Sequence, residues 1–224
     1  MMSKRYEIIY ADPPWDFGGA KLNAVTSGKE ISDHYPTMPD EDILYLDVES
    51  ITAKDCLLFM WVVHSKLPLA INCIKQWGFE YSTVAFEWLK RTSTGLPVCF
   101  MGKWTCGGAI ELCLLGRKGS IPRIAKDVRR LIDTPRRKHS QKPDETRDRI
   151  VDLVGNAPRI ELFSRNKIAG WDTWGNELDS DVKLEVIMPE ERQRRNEEAV
   201  KQAAASIVEQ GQSLNLNDFD DLIL

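Results

Sequence analysis

Tyr6-Glu7-Ile8-Ile9-Tyr10, followed after one residue by Asp12-Pro13-Pro14-Trp15, is the stretch on which the fold turns. The first five residues read as a strand. The last four bring a carboxylate, a stiff turn and an aromatic face to that strand's end. Pro13 and Pro14 each hold φ at about −65° and carry no N–H, and Pro14 pushes Pro13 out of the helical region. The carbonyls of Asp12 and Pro13 then point out of the chain with no helix to engage them. Such a rigid set of acceptors suits an exocyclic amino group. Asp-Pro pairs also occur in plain turns after edge strands, but four such residues in register at a strand end are rare by composition.

Working outward, the chain of 224 residues suits one α/β domain with an appendage, and its 42% hydrophobic and 29% charged content is that of a soluble globular protein. No apolar run approaches a membrane span and no signal-like segment opens the chain, so a cytoplasmic protein with no membrane partner is expected. Cys56, Cys73, Cys99, Cys106 and Cys113 form no C-x-x-C, and His34, His64 and His139 lie far apart. Neither a metal site nor a disulfide framework is expected, and the thiols read as reduced and mostly buried. The net charge of −4 conceals an asymmetry. Arg117 to Lys142 carries ten Lys/Arg against two Asp/Glu, whereas Leu178 to Leu224 carries eleven acids against five bases. A basic segment in a near-neutral body points to a polyanionic partner, and Arg136-Arg137-Lys138 is its densest part.

Apolar runs alternate with helical ones. Cys56 to Val63 reads as a strand buried on both faces, Lys66 to Trp77 as a helix closed by Gly78, and Tyr81 to Trp88 and Ala109 to Leu115 as further strands. Pro143 to Leu153 reads as a helix with Ile150 and Leu153 inward and Gly155 as its stop, and Arg159 to Phe163 as another strand. This alternation predicts a mostly parallel sheet flanked by helices, with ligands beyond the carboxyl ends of the strands. Asp12 and Ser164-Arg165 lie at two such ends. Phe17 to Thr37 reads as a functional loop or lid, and Thr92 to Gly108, with four glycines and Trp104, as a mobile loop. A domain over 1–180 and an acidic tail over 181–224 are expected, the tail holding an exposed helix from Pro189 to Gln210. The tail's end reads as a frayed terminus or a docking peptide for a protein partner.

Four ordered blocks carry the chemistry. They are Asp12-Pro13-Pro14-Trp15; Gly102-Lys103-Trp104-Thr105 leading to Glu111-Leu112-Cys113-Leu114-Leu115; Lys142-Pro143-Asp144-Glu145; and Glu161-Leu162-Phe163-Ser164-Arg165 followed by Gly170-Trp171-Asp172-Thr173-Trp174-Gly175-Asn176-Glu177. In this order they resemble the DPPW-type adenine-N6 methyltransferases, a family that includes the catalytic subunit of the eukaryotic mRNA methyltransferase and many bacterial and phage DNA methyltransferases. The resemblance spans residues 6 to 178 and implies a Rossmann-like sheet, S-adenosyl-L-methionine as methyl donor, and transfer to the exocyclic amino group of adenine. It implies that Asp12 and the Pro13 carbonyl accept hydrogen bonds from that amino group. Pro14 stiffens the corner, and Trp15 and Tyr35 stack on or line the base. Lys142 lies near the donor's carboxylate and the acceptor, at the start of a helix over Pro143 onward. Asn176 and Glu177 match the pair that bonds the donor's ribose hydroxyls, Arg165 flanks its adenosyl part, and Arg136, Arg137 and Lys138 track the substrate backbone. Phe163-Ser164-Arg165 stands where some members carry a glycine-bearing turn.

The compact build and the basic segment favour DNA over RNA as substrate, in the cytoplasm of a bacterial or phage-infected cell. An RNA enzyme of the same chemistry and a non-catalytic nucleic-acid-binding subunit are the alternatives. Glu111, a carboxylate in an apolar strand, reads equally as a structural partner of a Lys or Arg and as a site residue. Trp61 reads as core, and Trp171 and Trp174 as packing that positions Asn176.

Overall fold

A computed structural model describes residues 4–16, 38–102, 104–137 and 141–209, with the side chains of the last helix described as far as residue 202. Tyr35 and Lys138, the 17–37 loop and the chain beyond 209 lie outside the described residues. The chain divides into two compact units, Met1–Glu185 and Val186–Leu224.

In the first unit the described residues form one seven-stranded sheet. Its strands are β1 (Tyr6–Ala11), β2 (Thr52–Val62), β3 (Glu80–Arg91), β4 (Ile110–Lys118), β5 (Leu131–Pro135), β6 (Arg159–Leu162) and β7 (Asp172–Trp174), in the order β5-β3-β4-β2-β1-β6-β7. The parallel pairs are β1 with β2, β1 with β6, β6 with β7 and β3 with β5; β4 runs antiparallel to both β2 and β3. Six strands therefore run one way, and the sheet is mostly parallel as the alternation predicts. Strands β3 and β4 are neighbours in both chain and sheet, so they join without a crossover helix and must run antiparallel. Among the described residues of this unit the α-helices are α1 (Asp40–Leu44), α2 (Leu67–Gln76) and α3 (Glu145–Val154).

Side chains alternate across the strands with period two, which builds a core on each face. Ile9 and Ala11 of β1, with Leu58, Met60 and Val62 of β2, pack with Ile43 of α1 and Ala70, Cys73, Ile74 and Trp77 around α2. Ile8 and Tyr10, with Leu57, Phe59 and Trp61, pack on the other face with Phe86, Trp88 and Ile132 and with Ile150 and Val154 of α3. That double burial is why residues 56–63 carry no polar alternation. Helix α3 ends at Gly155, whose φ of +89° is a conformation other residues avoid.

Several elements differ from the sequence reading. Helix α3 begins at Glu145, not Pro143; Pro143 lies in the preceding loop, where its carbonyl accepts the Thr146 N–H at 3.1 Å. The described residues of 92–108 carry backbone hydrogen bonds that the sequence did not reveal: Phe100 and Gly107 exchange bonds of 2.7 and 2.9 Å. Strand β5 lies inside the basic segment, and α1 and β7 join the elements read from the sequence. The second unit contains α4 (Pro189–Glu209), an exposed helix of the expected extent. Among the described residues no helix is long and apolar enough to cross a membrane.

A buried ion pair fastens α3 to β6. Arg147 donates to both carboxylate oxygens of Glu161 at 2.6 and 2.9 Å, and its guanidinium lies 5.6 Å from the Tyr10 ring centre. Glu161 is only 7% exposed, so removing its partner strands a buried charge. We expect Arg147→Met to lower the unfolding free energy in urea by about 3 kcal/mol. The double variant Arg147→Met/Glu161→Leu should recover much of that loss, because it removes both desolvated charges; no recovery would place the stabilisation elsewhere.

Candidate active site

The sheet order reverses direction at β1, with β2 on one side and β6 on the other. In parallel sheets the crevice beyond such a reversal is where ligands sit. Asp12 stands there, directly after β1. The ends of β6 and β7 bring Ser164-Arg165 and Asn176-Glu177 to the same edge, and β4, running the other way, starts there with Ile110-Glu111.

The proline corner is fastened from several sides. Trp15 N–H donates to the Pro13 carbonyl at 2.9 Å, closing a three-residue turn. This corrects the expectation that the Pro13 carbonyl is left unengaged: one of its two lone pairs holds the corner's shape. Trp15 is 5% exposed, belongs to the core beneath the corner, and donates its indole N–H to the Trp61 carbonyl at 3.1 Å. The Pro14 carbonyl accepts from Met38 N–H at 3.3 Å.

Lys142 is the centre of the charge arrangement. Its Nζ lies 2.8 Å from Oδ1 and 2.8 Å from Oδ2 of Asp12, and 3.3 Å from Oε2 of Glu111. Glu111 Oε1 in turn accepts from Lys90 Nζ at 2.8 Å. Two carboxylates and two ammonium groups make a neutral quartet, and the Lys142 side chain is 9% exposed while that of Asp12 is 33% exposed. The ammonium lies 5.8 Å from the Trp61 ring centre, and Trp61 Nε1 donates to the Tyr10 hydroxyl at 2.7 Å. Trp61, fully buried, is thus core that also floors the site.

The quartet drives its two carboxylates apart. Burial pushes the Asp12 carboxyl up from its ordinary value, Lys142 restrains that rise, and Glu111 adds to it. Burial also raises Glu111, but Lys142 and Lys90 outweigh it and leave this group below its ordinary value. Lys142 is disfavoured by burial yet held above its usual value by Asp12 and Glu111. Glu111 is therefore a partner of two lysines at the site's edge. Lys90 was not read from the sequence. The signal was available, since an acid in an apolar strand needs a cation, and period two places Lys90 on the face of Phe86 and Trp88.

On the other side of β1, Phe163 has φ +61°, a left-handed conformation costly for a bulky residue. Its ring packs edge-on to Trp174 at 5.2 Å, and Ser164 N–H donates to the Trp174 carbonyl at 2.9 Å. A Cβ at Gly175 would lie 2.0 Å from the Ser164 carbonyl oxygen, so only glycine permits this approach. The convergence brings Arg165 Nε within 3.7 Å of Glu177 Oε1. Arg165, Asn176 and Glu177 are exposed at this edge. Arg136 and Arg137 are exposed after β5; Arg136 N–H donates to the Arg91 carbonyl at 2.9 Å, and Arg137 pairs with Asp144 at 2.5 Å. Cys56, Cys73 and Cys113 are buried, whereas Cys99 and Cys106 are exposed on the hairpin.

The carboxylate–lysine quartet thus stands at the reversal point of an α/β sheet, against buried aromatic side chains. The MT-A70 family matches residues 6–177, and the chain belongs to it; this is a methyltransferase family that typically uses S-adenosylmethionine. The chain is 39% identical over 198 residues to the type II methyltransferase M.MunI of Mycoplasma sp, covering 82% of each chain. It is 30% identical over 183 residues to an N(6)-adenosine-methyltransferase MT-A70-like protein of Arabidopsis thaliana, covering 78% of this chain and 24% of that one. It is 29% identical over 180 residues to the human N(6)-adenosine-methyltransferase catalytic subunit METTL3, covering 78% of this chain and 28% of that one. The chain thus spans about a quarter of these two eukaryotic relatives.

A group whose pKa is raised by folding binds its proton more tightly folded than unfolded. Its ionisation therefore costs stability as pH rises through the interval between the two values. Asp12 is such a group. In urea melts from pH 3.5 to 7, we expect Asp12→Asn to gain stability relative to the parent as pH rises. The opposite slope would mean that Asp12 is stabilised as a carboxylate.

Proposed function

We propose that the protein transfers a methyl group from S-adenosyl-L-methionine to N6 of adenine in DNA. The observation that carries this reading is the Asp12 carboxylate at the sheet's reversal point, next to the Pro13 carbonyl in a rigid turn. The N6 lone pair of adenine is delocalised into the ring and is a poor nucleophile. Two acceptors set in different directions, Asp12 and the Pro13 carbonyl, favour a pyramidal nitrogen and return that lone pair to it. A carboxylate made less acidic by burial is the stronger acceptor, and it offsets positive charge developing on N6. Lys142 fixes the orientation of both Asp12 oxygens. Trp15 and Pro14 hold the corner rigid, and Tyr35 is proposed to line the base.

When bound, the donor supplies an electrophilic methyl on a sulfonium. The residues at the far edge suit it. Asn176 and Glu177 offer the polar pair that ribose hydroxyls require, and Arg165 flanks the adenosyl side. Lys142 faces the donor's carboxylate with an ammonium already charged. The close approach of the Ser164 backbone at Gly175 sets Asn176-Glu177 beside Arg165. Arg136, Arg137 and Lys138 are proposed to follow substrate phosphates. The N6-adenosine relatives support the target atom. The type II methyltransferase, alike over four-fifths of both chains, favours DNA over RNA.

Purified protein incubated with methyl-labelled donor and unmodified plasmid DNA is expected to place label in N6-methyladenine, identified by chromatography of the hydrolysed DNA. Asp12→Ala should lower the rate by about 10²- to 10³-fold. Label confined to cytosine, or to RNA offered in competition, would contradict the proposal.

A further inference from the structure

Of seven exposed large hydrophobic side chains in the described chain, four sit in the insertion between β3 and β4: Leu96 (67% exposed), Phe100 (49%), Met101 (92%) and Trp104 (87%). A loop free to collapse would bury such groups. This segment is instead built to display them. Val98, itself buried, donates to the Lys90 carbonyl at 2.8 Å, and Thr92 N–H bonds to the Leu96 carbonyl at 2.8 Å. The doubly bonded Phe100 and Gly107 then carry the segment outward. Two glycines shape it. A Cβ at Gly102 would lie 2.5 Å from the Thr105 carbonyl oxygen, and one at Gly108 would lie 2.4 Å from the Phe100 ring. Met101 and Trp104 flank that tight tip.

The insertion is rooted in the active site. Lys90 and Glu111, near its two ends, are ion-paired, and Glu111 contacts the lysine that holds Asp12. Its root also meets the basic exit of β5, through the bond from Arg136 to the Arg91 carbonyl. Among the described residues no carboxylate pairs with Arg136. An apolar tip above a cationic root fits a partner with phosphates outside and flat apolar faces inside. That is double-stranded nucleic acid, in which an adenine is out of reach until it leaves the stack.

We propose that the Phe100–Gly107 hairpin is a duplex-opening wedge: Trp104 and Met101 enter the base stack beside the target adenine and fill the space it vacates as it turns out toward Asp12. The inference rests on the reading of the site as a DNA methyltransferase and adds to it a preference for duplex and the residues that create that preference.

The test compares the parent with Trp104→Ala, Met101→Ala and the double variant, as full chains. Methyl incorporation is measured on unmodified genomic DNA, both as duplex and after heat denaturation. Opening of plasmid duplex in the bound state is read independently, by permanganate reactivity of unpaired thymines. We expect the double variant to lose about 10- to 100-fold on duplex and far less on denatured DNA. Its thymine reactivity should vanish, and Trp104→Phe should restore most of both signals. Equal losses on the two substrates, no loss on either, or a change in oligomeric state by light scattering that accounts for the loss would each overturn the wedge. If the parent methylates duplex and the variants match it, the wedge fails and the methyltransferase reading stands. If the parent opens duplex without methylating it, the wedge stands and that reading fails.

Discussion

One ammonium shared by two carboxylates holds this molecule's working edge together. Lys142 touches Asp12 at the end of β1 and Glu111 at the start of β4, and Glu111 reaches Lys90 at the end of β3. Three strands and the loop before α3 therefore meet in a single electrostatic unit. Like charges this close cannot both ionise without a cation between them. With two cations for two acids, the unit is neutral as a whole and polar at every point. Such an arrangement tolerates a half-buried position that neither carboxylate would tolerate alone. It also shifts the two acids in opposite directions, Asp12 upward and Glu111 downward from their ordinary values.

The two flanks of β1 solve different problems. On the β2 side, rigidity comes from stacked and hydrogen-bonded aromatics: Trp15 on the Trp61 carbonyl, Trp61 on Tyr10, and Trp88 edge-on to Trp61 at 6.4 Å. On the β6 side, rigidity comes from backbone strain and close approach at Phe163 and Gly175. The first keeps an acceptor corner still; the second leaves a polar rim on which Arg165, Asn176 and Glu177 are exposed.

Much of this was legible in the chain because the informative residues are local. The run over Cys56 to Val63 announces a strand buried on both faces, and Asp12-Pro13-Pro14-Trp15 announces the corner. What escaped depends on contacts between distant residues. Strand β5 shows only Ile132 buried, with Leu131 49% exposed, so its periodicity is that of a charged loop. Strand β7 is three residues long and exists because Gly175 lets it approach β6. The engaged Pro13 carbonyl and the buried Trp15 follow from a three-residue turn, which composition does not reveal. Glu111 has its partners in β3 and the loop before α3, distant in sequence, so its own strand does not reveal them.

Lys142 holds two carboxylates whose acidities are shifted in opposite directions. Carbon-13 NMR titration of the side-chain carboxyls, assigned through Asp12→Asn and Glu111→Gln, measures both shifts directly. Asp12 is expected to titrate above the ordinary value for an aspartate and Glu111 below the ordinary value for a glutamate. Two unshifted titrations, or shifts in the reverse directions, would contradict this.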